Sequence, residues 1–402
     1  MNKKDIATIR RQFKKGNDKL RISDIFNVYI MKESSDIYHH ESMPFGMLDE
    51  DQQELFLGNF KKVLAGNLDE KLFELKFKRD AEDSSQLILH RGLLTNDVEE
   101  WTNDMLTLVA KMLQDRQYEH DVVISFIKAE YLKAQKRPNA EAEESANDTM
   151  YSHSFLLCSI NKTQEPKKEL EFDYVEREFK YNVTVNPVIN LQAPLSGFLF
   201  PCFNDSAADV NHVLYSTAKA YEPDTAFIED VLTAEEIMTA RDDKSVFEEI
   251  VKDITGDQLS TSALANVYEE INRVVEENEE DEAPKLDRND VQRVLTLSGI
   301  ENVTPEKVET AYQKVIDDEK YEMKATSVIP KYNSKSIKIK TKVANIAISP
   351  EDLRYVRQVV FNNKRCIMIE VEEDTVIEGF TMTEESLVNK VSEIEPETSI
   401  TE

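Results

Sequence analysis

The chain carries at residues 20–31 the stretch LRISDIFNVYIM, in which apolar and polar residues alternate towards the end. Successive side chains of an extended chain point to opposite sides, so Phe26, Val28 and Ile30 share one face, and the polar positions between them share the other. This pattern predicts a β-strand. It decides the fold class, because a sheet with one apolar face must bury that face against another layer.

The sequence around this strand mixes helix and strand patterns. Apolar residues recur at helical spacing in 2–15 and 48–64, whereas 73–77 and 122–127 read as strands. Elements of both kinds therefore follow each other closely along the chain. We predict one N-terminal α/β unit over residues 1–136.

The rest of the chain divides by composition and periodicity. Pro138 and a run of acids without a base indicate a solvated linker, and a later acidic block interrupts a mainly helical stretch. The predicted fold class is α+β. After the N-terminal unit, the predicted segments are an acidic linker at 137–150, a β-rich middle unit with a mixed or antiparallel sheet at 151–223, a helical segment at 224–325 with an acidic loop at 276–284, a small C-terminal antiparallel sheet at 326–382, and a disordered acidic tail at 383–402.

Two local patterns predict helices inside these segments. Ser206 and Asp209 have the spacing of a helix cap before Val213 and Leu214, which predicts a helix there. Residues 287–320 contain cap and stop signals in the order helix, turn, helix. We interpret this pair as a structural helical hairpin, because its second helix carries more acids than bases and would repel phosphates.

The charge balance and the scarcity of glycine exclude several classes of protein. Acidic residues outnumber basic ones by 78 to 49, so the formal net charge is -29 and a nucleic-acid-coating role is disfavoured. The 9 glycines are too scattered for a glycine-rich phosphate loop. Cys158, Cys202 and Cys366 lie in apolar runs, which is typical of reduced core thiols.

The apolar runs are too short for a membrane span. The longest are strand-length, whereas a spanning helix needs about 18 consecutive apolar residues. Charges interrupt the apolar pairs at the amino terminus, so we also expect no secretory signal. These patterns predict a cytoplasmic protein without membrane association.

Two triplets have the acid-x-lysine form that occurs in metal-dependent nucleases. Glu74 and Lys76 form the first, and Glu178 and Lys180 form the second, with Asp173 as a further acid. Two carboxylates can hold a cation while a lysine stabilises charge on a phosphate. The alternative is the polar face of an alternating strand, and we favour it. Asp173 lies so near Glu178 that we expect the two on one segment, not on separate paired strands.

A second constellation joins three possible metal ligands. His39, His40 and Glu41 are adjacent in sequence. Neighbours in an extended segment point to opposite faces, which makes a shared metal site poor without a turn. We interpret this triplet as an exposed segment and predict no bound metal or cofactor.

Basic residues cluster in two places despite the acidic total. The second cluster lies within 331–342. Either cluster could contact an anionic partner, although a solvated face explains both. The first cluster consists of Lys3, Lys4, Arg10, Arg11, Lys14, Lys15, Lys19 and Arg21.

Several blocks of this sequence resemble one known family. The similar blocks are 1–13, 27–30, 44–45, 55–64 and 197–204, together with the alternating C-terminal sheet. They resemble an uncharacterised Firmicute family that is described as a domain of unknown function. The resemblance implies a cytosolic bacterial protein, and it supplies no catalytic residue, cofactor or substrate.

These observations favour a cytosolic, non-catalytic binding or assembly protein. Catalytic signatures are missing from the sequence, and the layout is segmented. The expected partner is another protein or a second copy of the chain. One alternative is a metal-dependent hydrolase or nuclease that uses the two acid-x-lysine triplets, and another is a nucleic-acid-associated protein that uses the basic clusters.

Overall fold

A computed structural model of the protein describes most of the chain. The predicted linker 137–150 lies outside the described residues except for Met150, and the tail 383–402 lies wholly outside them. Of the acidic loop 276–284, only the ends are described. The described residues are 1–79, 81, 83–134, 150–164, 168–183, 186–204, 207–256, 259–277, 284–316, 318, 321–330, 337–361, 363–371, 375–377 and 380–381.

Helices and strands both contribute substantially, which confirms the α+β class. The helices are α1 Lys3–Gln12, α2 Glu50–Val63, α3 Ser85–Leu94, α4 Val98–Leu113, α5 Ala240–Thr255, α6 Thr261–Glu277, α7 Arg288–Leu297, α8 Pro305–Val315 and α9 Ala325–Val328. The strands are β1 Leu20–Met31, β2 Asp36–Pro44, β3 Leu72–Lys76, β4 Val122–Ala134, β5 Met150–Gln164, β6 Lys168–Asp173, β7 Glu178–Val183, β8 Val188–Ile189, β9 Ser196–Phe200, β10 Cys202–Asn204, β11 Ala207–Asp209, β12 His212–Thr217, β13 Lys285–Leu286, β14 Met323–Lys324, β15 Ile337–Lys340, β16 Asn345–Ile348, β17 Val356–Phe361, β18 Lys364–Ile369, β19 Val376–Ile377 and β20 Phe380–Thr381.

The chain forms two compact units. The first contains residues 1–250, 275–287 and 320–328, and the second contains 251–274, 288–319 and 329–402. Each is described by its own sheets and helices below.

One large antiparallel sheet organises the first unit. Its strand order is β2-β1-β4-β5-β9-β12-β3, and β8 pairs with β5 beside this path. The longest pairing joins β4 to β5, from Val122 opposite Lys162 to Ala134 opposite Met150. The sheet therefore takes strands from both sides of the predicted boundary at 137–150, so residues 1–136 and 151–223 share it.

Apolar layers cover both faces of this sheet. On one face, Phe26, Phe126 and Phe198 pack with α3 and with Trp101 of α4. On the other, Ile127 packs with side chains of α1 and α2. The central strands are consequently buried on both sides, which explains their nearly continuous apolar sequence.

The structure shows that the predicted helix around Val213 and Leu214 is wrong. This segment forms strand β12, which pairs with β9 on one side and with β3 on the other. Both faces of β12 are buried, so apolar residues are adjacent and the period-two signal is lost. The local cap spacing could not compete with two ladders of backbone hydrogen bonds.

The second unit contains the predicted helical hairpin. The backbone N–H of Ile300 donates to the carbonyl of Leu295 in the turn, where Gly299 has a positive φ of 81°. Thr304 caps α8 by accepting a hydrogen bond from Lys307 N. In place of one small C-terminal sheet, the described residues form three separate two-stranded hairpins, β15–β16, β17–β18 and β19–β20.

The three cysteines are free thiols. Cys158 and Cys202 are buried, and burial raises the pKa of both thiols; Cys366 is half-buried. No helix in the described part of the chain combines the length and the apolar character that crossing a bilayer requires.

The close approach of Gly197 on β9 to Val63 of α2 predicts that one added methyl group destabilises the fold. We expect Gly197→Ala to lower the free energy of unfolding by about 1–3 kcal/mol, as overpacking does in other cores. The added Cβ would lie 2.3 Å from the carbonyl oxygen of Cys158 and 2.8 Å from Cγ1 of Val63. Urea unfolding followed by the fluorescence of Trp101, the only tryptophan, measures this effect.

Gly58→Ala is the matched control. Gly58 lies inside α2, and a Cβ there meets no heavy atom within 4 Å. We expect this variant to gain about 0.5–1 kcal/mol, because alanine loses less conformational freedom in a helix. Equal effects of the two substitutions would contradict the close packing at Gly197.

Candidate functional site

Glu74 and Lys76 lie on β3, the edge strand of the large sheet. Glu74 Oε2 contacts the amino group of Met1, and Lys76 Nζ lies 3.1 Å from Oε1 of Glu235. The backbone N–H of Glu235 also donates to the carbonyl of Lys76 at 2.8 Å. The two charged side chains of this triplet, Glu74 and Lys76, thus each contact a group of opposite charge.

An unpredicted ionisable pair lies beside this triplet. His212 on β12 is directly opposite Lys76, and its Nδ1 lies 2.6 Å from Oδ2 of Asp209. Burial raises the pKa of Asp209, but the backbone N–H of Asn211 and the His212 side chain outweigh burial and lower it. The only sequence feature that indicates this pair is the spacing of three residues between Asp209 and His212.

A cleft lies at the end of β3, where the chain leaves the large sheet. It has a volume of about 670 Å³ and is lined by Lys76, Lys78, Arg79, Ala81 and Glu235. Of the described residues, three cations and one carboxylate therefore line this cleft. We call this feature the basic cleft.

The second triplet lies on a different sheet. Asp173 ends β6 and Glu178 begins β7, and the two residues are directly opposite each other in this hairpin. The expectation that they share one segment is therefore wrong. A tight turn joins the strands: Asp173 Oδ1 accepts the N–H of Val175, and Arg177 takes a positive φ of 54°.

Lys180 forms ion pairs with both acids on the charged face of this hairpin. Its Nζ lies 2.8 Å from Oδ2 of Asp173 and 3.5 Å from Oε1 of Glu178. The hydrogen bond from Lys180 lowers the pKa of Asp173, and the backbone N–H groups of Glu176 and Val175 add to this effect. The three predicted residues do come together, but as an ion-pair cluster on an exposed hairpin.

Aromatic side chains occupy the opposite face of the same hairpin. Phe172 lies directly across from Phe179, with 5.2 Å between ring centroids, and Phe172 is 5.3 Å from Tyr174 at the turn. We call β6, β7 and their turn the arm. Its exposed apolar side chains are Leu170 at 69%, Phe172 at 42%, Tyr174 at 86%, Val175 at 88% and Phe179 at 72% of their full accessible area.

The arm is an insertion between β5 and β8. The chain leaves the large sheet at Gln164, and Val188 pairs with Gln164 where it returns. Among the described strands, β6 and β7 pair only with each other. Each strand of the arm therefore has one edge that pairs with no other described strand, and the arm also has an exposed apolar face.

The predicted metal triplet lies on the other edge strand, β2. His39 is opposite Tyr29 and His40 is opposite Val28, so the two imidazoles belong to opposite faces of the sheet. Nowhere in the described ranges do three His, Cys, Asp or Glu side chains converge in a way that could hold a metal ion.

The first basic cluster lies on and just after α1. Ile6 and Ile9 anchor this helix in the core, and Lys3, Lys4 and Arg11 point to solvent. Lys15 is 2.5 Å from Oε2 of Glu50, and this hydrogen bond raises the pKa of Lys15. Of the second cluster, Lys338, Lys340 and Lys342 are described, and they are exposed.

The fold and these surfaces define an acidic α+β protein whose exposed features are a basic cleft and an aromatic arm. A family profile matches residues 1–380, and its description is "Domain of unknown function (DUF4317)". The chain belongs to this family, which confirms the predicted resemblance to a family of unknown function.

Other comparisons add no functional information. No curated protein matches the chain. A solved structure titled "pT26-6p" aligns at 7% identity over 77% of this chain and 81% of its own, with a TM-score of 0.14.

The charged face of the arm makes a testable pKa prediction. We expect Lys180→Met to raise the pKa of Asp173 towards its ordinary value, because the largest contribution that favours its ionised form is removed. The backbone N–H groups of the turn keep part of the depression. An NMR titration of the Asp173 carboxyl carbon in the full chain measures the change.

The sign of the pH dependence follows from the lowered pKa. In the wild type the ion pair persists above the folded-state pKa and is lost as the pH falls through it. Lys219→Met is a suitable control, because Lys219 is also an exposed lysine beside a carboxylate, Glu222. An unchanged Asp173 pKa in Lys180→Met would refute the assigned cause.

Proposed function

We propose that this protein is a cytosolic, non-catalytic binding protein that docks a partner protein through the arm. The observation that carries the proposal is the apolar face formed by Leu170, Phe172 and Phe179, with Tyr174 and Val175 at the turn. Exposed aromatic side chains of this kind are enriched at protein interfaces, where they dominate the binding energy.

The energetics of a two-stranded hairpin support this proposal. An isolated hairpin is marginally stable in water, and its exposed strand edges accept further strands. The ring contacts of Phe172 order the arm locally, but they leave Phe179 72% exposed. A partner that covers this face would remove apolar area from water and could add a strand to an edge.

The charges around the arm favour one class of partner. The whole chain has a formal net charge of -29, so a second copy would approach against like charge. A partner with an apolar surface rimmed by Lys and Arg would instead complement the arm. The sequence of the arm contains more acidic than basic residues. The acids are Glu169, Glu171, Asp173, Glu176 and Glu178, and the bases are Lys168, Arg177 and Lys180.

The hydrolase alternative needs the two acid-x-lysine triplets in one site. Glu74 and Lys76 belong to the large sheet, whereas Glu178 and Lys180 belong to the arm. Each lysine already neighbours a carboxylate of its own surroundings. This arrangement favours the binding proposal over metal-dependent hydrolysis.

Site-specific photocrosslinking tests the proposed docking. A photoreactive phenylalanine replaces Tyr174 in the full chain, and Tyr38 on β2, also exposed, serves as the reference position. In the cells that express the natural protein, we expect a discrete adduct with a different protein from position 174 and none from position 38. Adducts of two copies of this chain, or no adduct from position 174, would overturn the proposal.

Purified components then test the chemistry of the interface. We expect Phe179→Ser to weaken binding to the captured partner at least tenfold, because removal of an aromatic anchor typically costs more than about 1.4 kcal/mol. Tyr38→Ser is the matched control, since Tyr38 and Phe179 are both 72% exposed. Affinity should also fall as salt rises, and binding that is independent of salt would contradict a basic rim.

A further inference from the structure

The basic cleft concentrates positive charge on a strongly acidic protein. Among the residues that the structure describes, Lys76, Lys78 and Arg79 line it together with the carboxylate of Glu235, and Glu229 lies 3.8 Å from Lys78. The formal net charge of the chain is -29, so this local excess of cations opposes the general trend of the surface. The cleft has a volume of about 670 Å³ and is widely open to solvent.

The backbone fixes the positions of these cations. Phe77, between the two lysines, is 3% exposed and packs edge-on against Phe200 with 5.8 Å between ring centroids. Its N–H donates to the carbonyl of Asn211, and the N–H of Lys78 donates to the carbonyl of Thr233 at 2.9 Å. The lysine side chains therefore start from a rigid base, which reduces the ordering cost of binding a ligand.

The existing ion pairs in the cleft are weak competitors for an anion. Lys76 lies 3.1 Å from Glu235, and Lys78 Nζ lies 3.8 Å from Oε2 of Glu229. All four side chains are more than two-fifths exposed, and exposed pairs of this kind contribute little net stability. Arg79 is exposed and forms no ion pair with any residue that the structure describes.

We propose that the basic cleft binds a small ligand through a phosphomonoester group. The planar guanidinium of Arg79 matches two phosphate oxygens, and Lys76 and Lys78 supply two further charges to a group that is nearly dianionic at neutral pH. This site lies at the edge of the large sheet and is independent of the arm.

Titration of the full chain with two probes tests this proposal. Inorganic phosphate and phenyl phosphate are added at low ionic strength, and binding is followed by calorimetry and by the ³¹P signal. We expect saturable binding of one equivalent, tighter for phenyl phosphate. Arg79→Gln and Lys78→Gln should each weaken binding at least tenfold.

Two further variants separate a built site from general attraction to lysine. Lys219→Gln removes another exposed lysine that neighbours a glutamate, and it should leave the affinity unchanged. Glu235→Gln removes the carboxylate from the cleft and should tighten binding. The proposal is overturned if neither probe saturates, if Lys219→Gln weakens binding as much as Arg79→Gln, or if Glu235→Gln weakens it.

Discussion

The first unit depends on the burial of its central strands from both sides. Phe126 and Ile127 are neighbours on β4, yet they belong to different apolar layers. The same strands must therefore complement α1 and α2 on one face and α3 and α4 on the other. Glu74 and Lys76 on the edge strand β3 are only partly buried, and the arm, a separate two-stranded sheet inserted after β5, exposes several apolar side chains.

The sequence predicts an element well where one of its faces is polar. On β1 the polar positions include Asn27, which accepts a hydrogen bond from Ser125 Oγ at 2.7 Å. Tyr29 donates to Asp121 at 2.7 Å, and burial together with this bond raises the pKa of Tyr29 to about 12. Apolar and polar residues therefore alternate along this part of β1, because hydrogen-bonded polar side chains occupy one of its two faces.

Alternation of apolar and polar residues does not reveal a strand when both faces of that strand are buried. On β12, Val213 and Leu214 are both buried, so alternation disappears and a helix reading becomes attractive. Helix α3, Ser85–Leu94, was not among the predicted elements. In the structure a Cβ at Gly92 would come within 3.0 Å of Met105 Cε, so the glycine permits close helix packing. Such reasons are tertiary and cannot be read from local spacing.

The candidate sites also differ in whether their residues are close together or far apart in the sequence. Glu178 and Lys180 are close in sequence, and their cluster with Asp173 is almost entirely local. Lys78 and Arg79 are likewise close to Lys76 in sequence, whereas Glu235 comes from far along the chain and is held beside Lys76 next to the bridge between Phe77 and Ala234. The sequence therefore shows the cations of the cleft as one short segment but could not reveal that Glu235 lies beside them.

The charge of the whole chain acts differently on the two surfaces. At physiological salt, fields decay over about 8 Å, so a small phosphate ligand in the cleft responds mainly to its immediate neighbours. A long polyanion would extend beyond the three cations and meet the acidic remainder of the surface. The negative total therefore selects against nucleic acid at the cleft without preventing a small anion from binding. At the arm the same total favours a basic partner, because an interface larger than the screening length averages over many carboxylates.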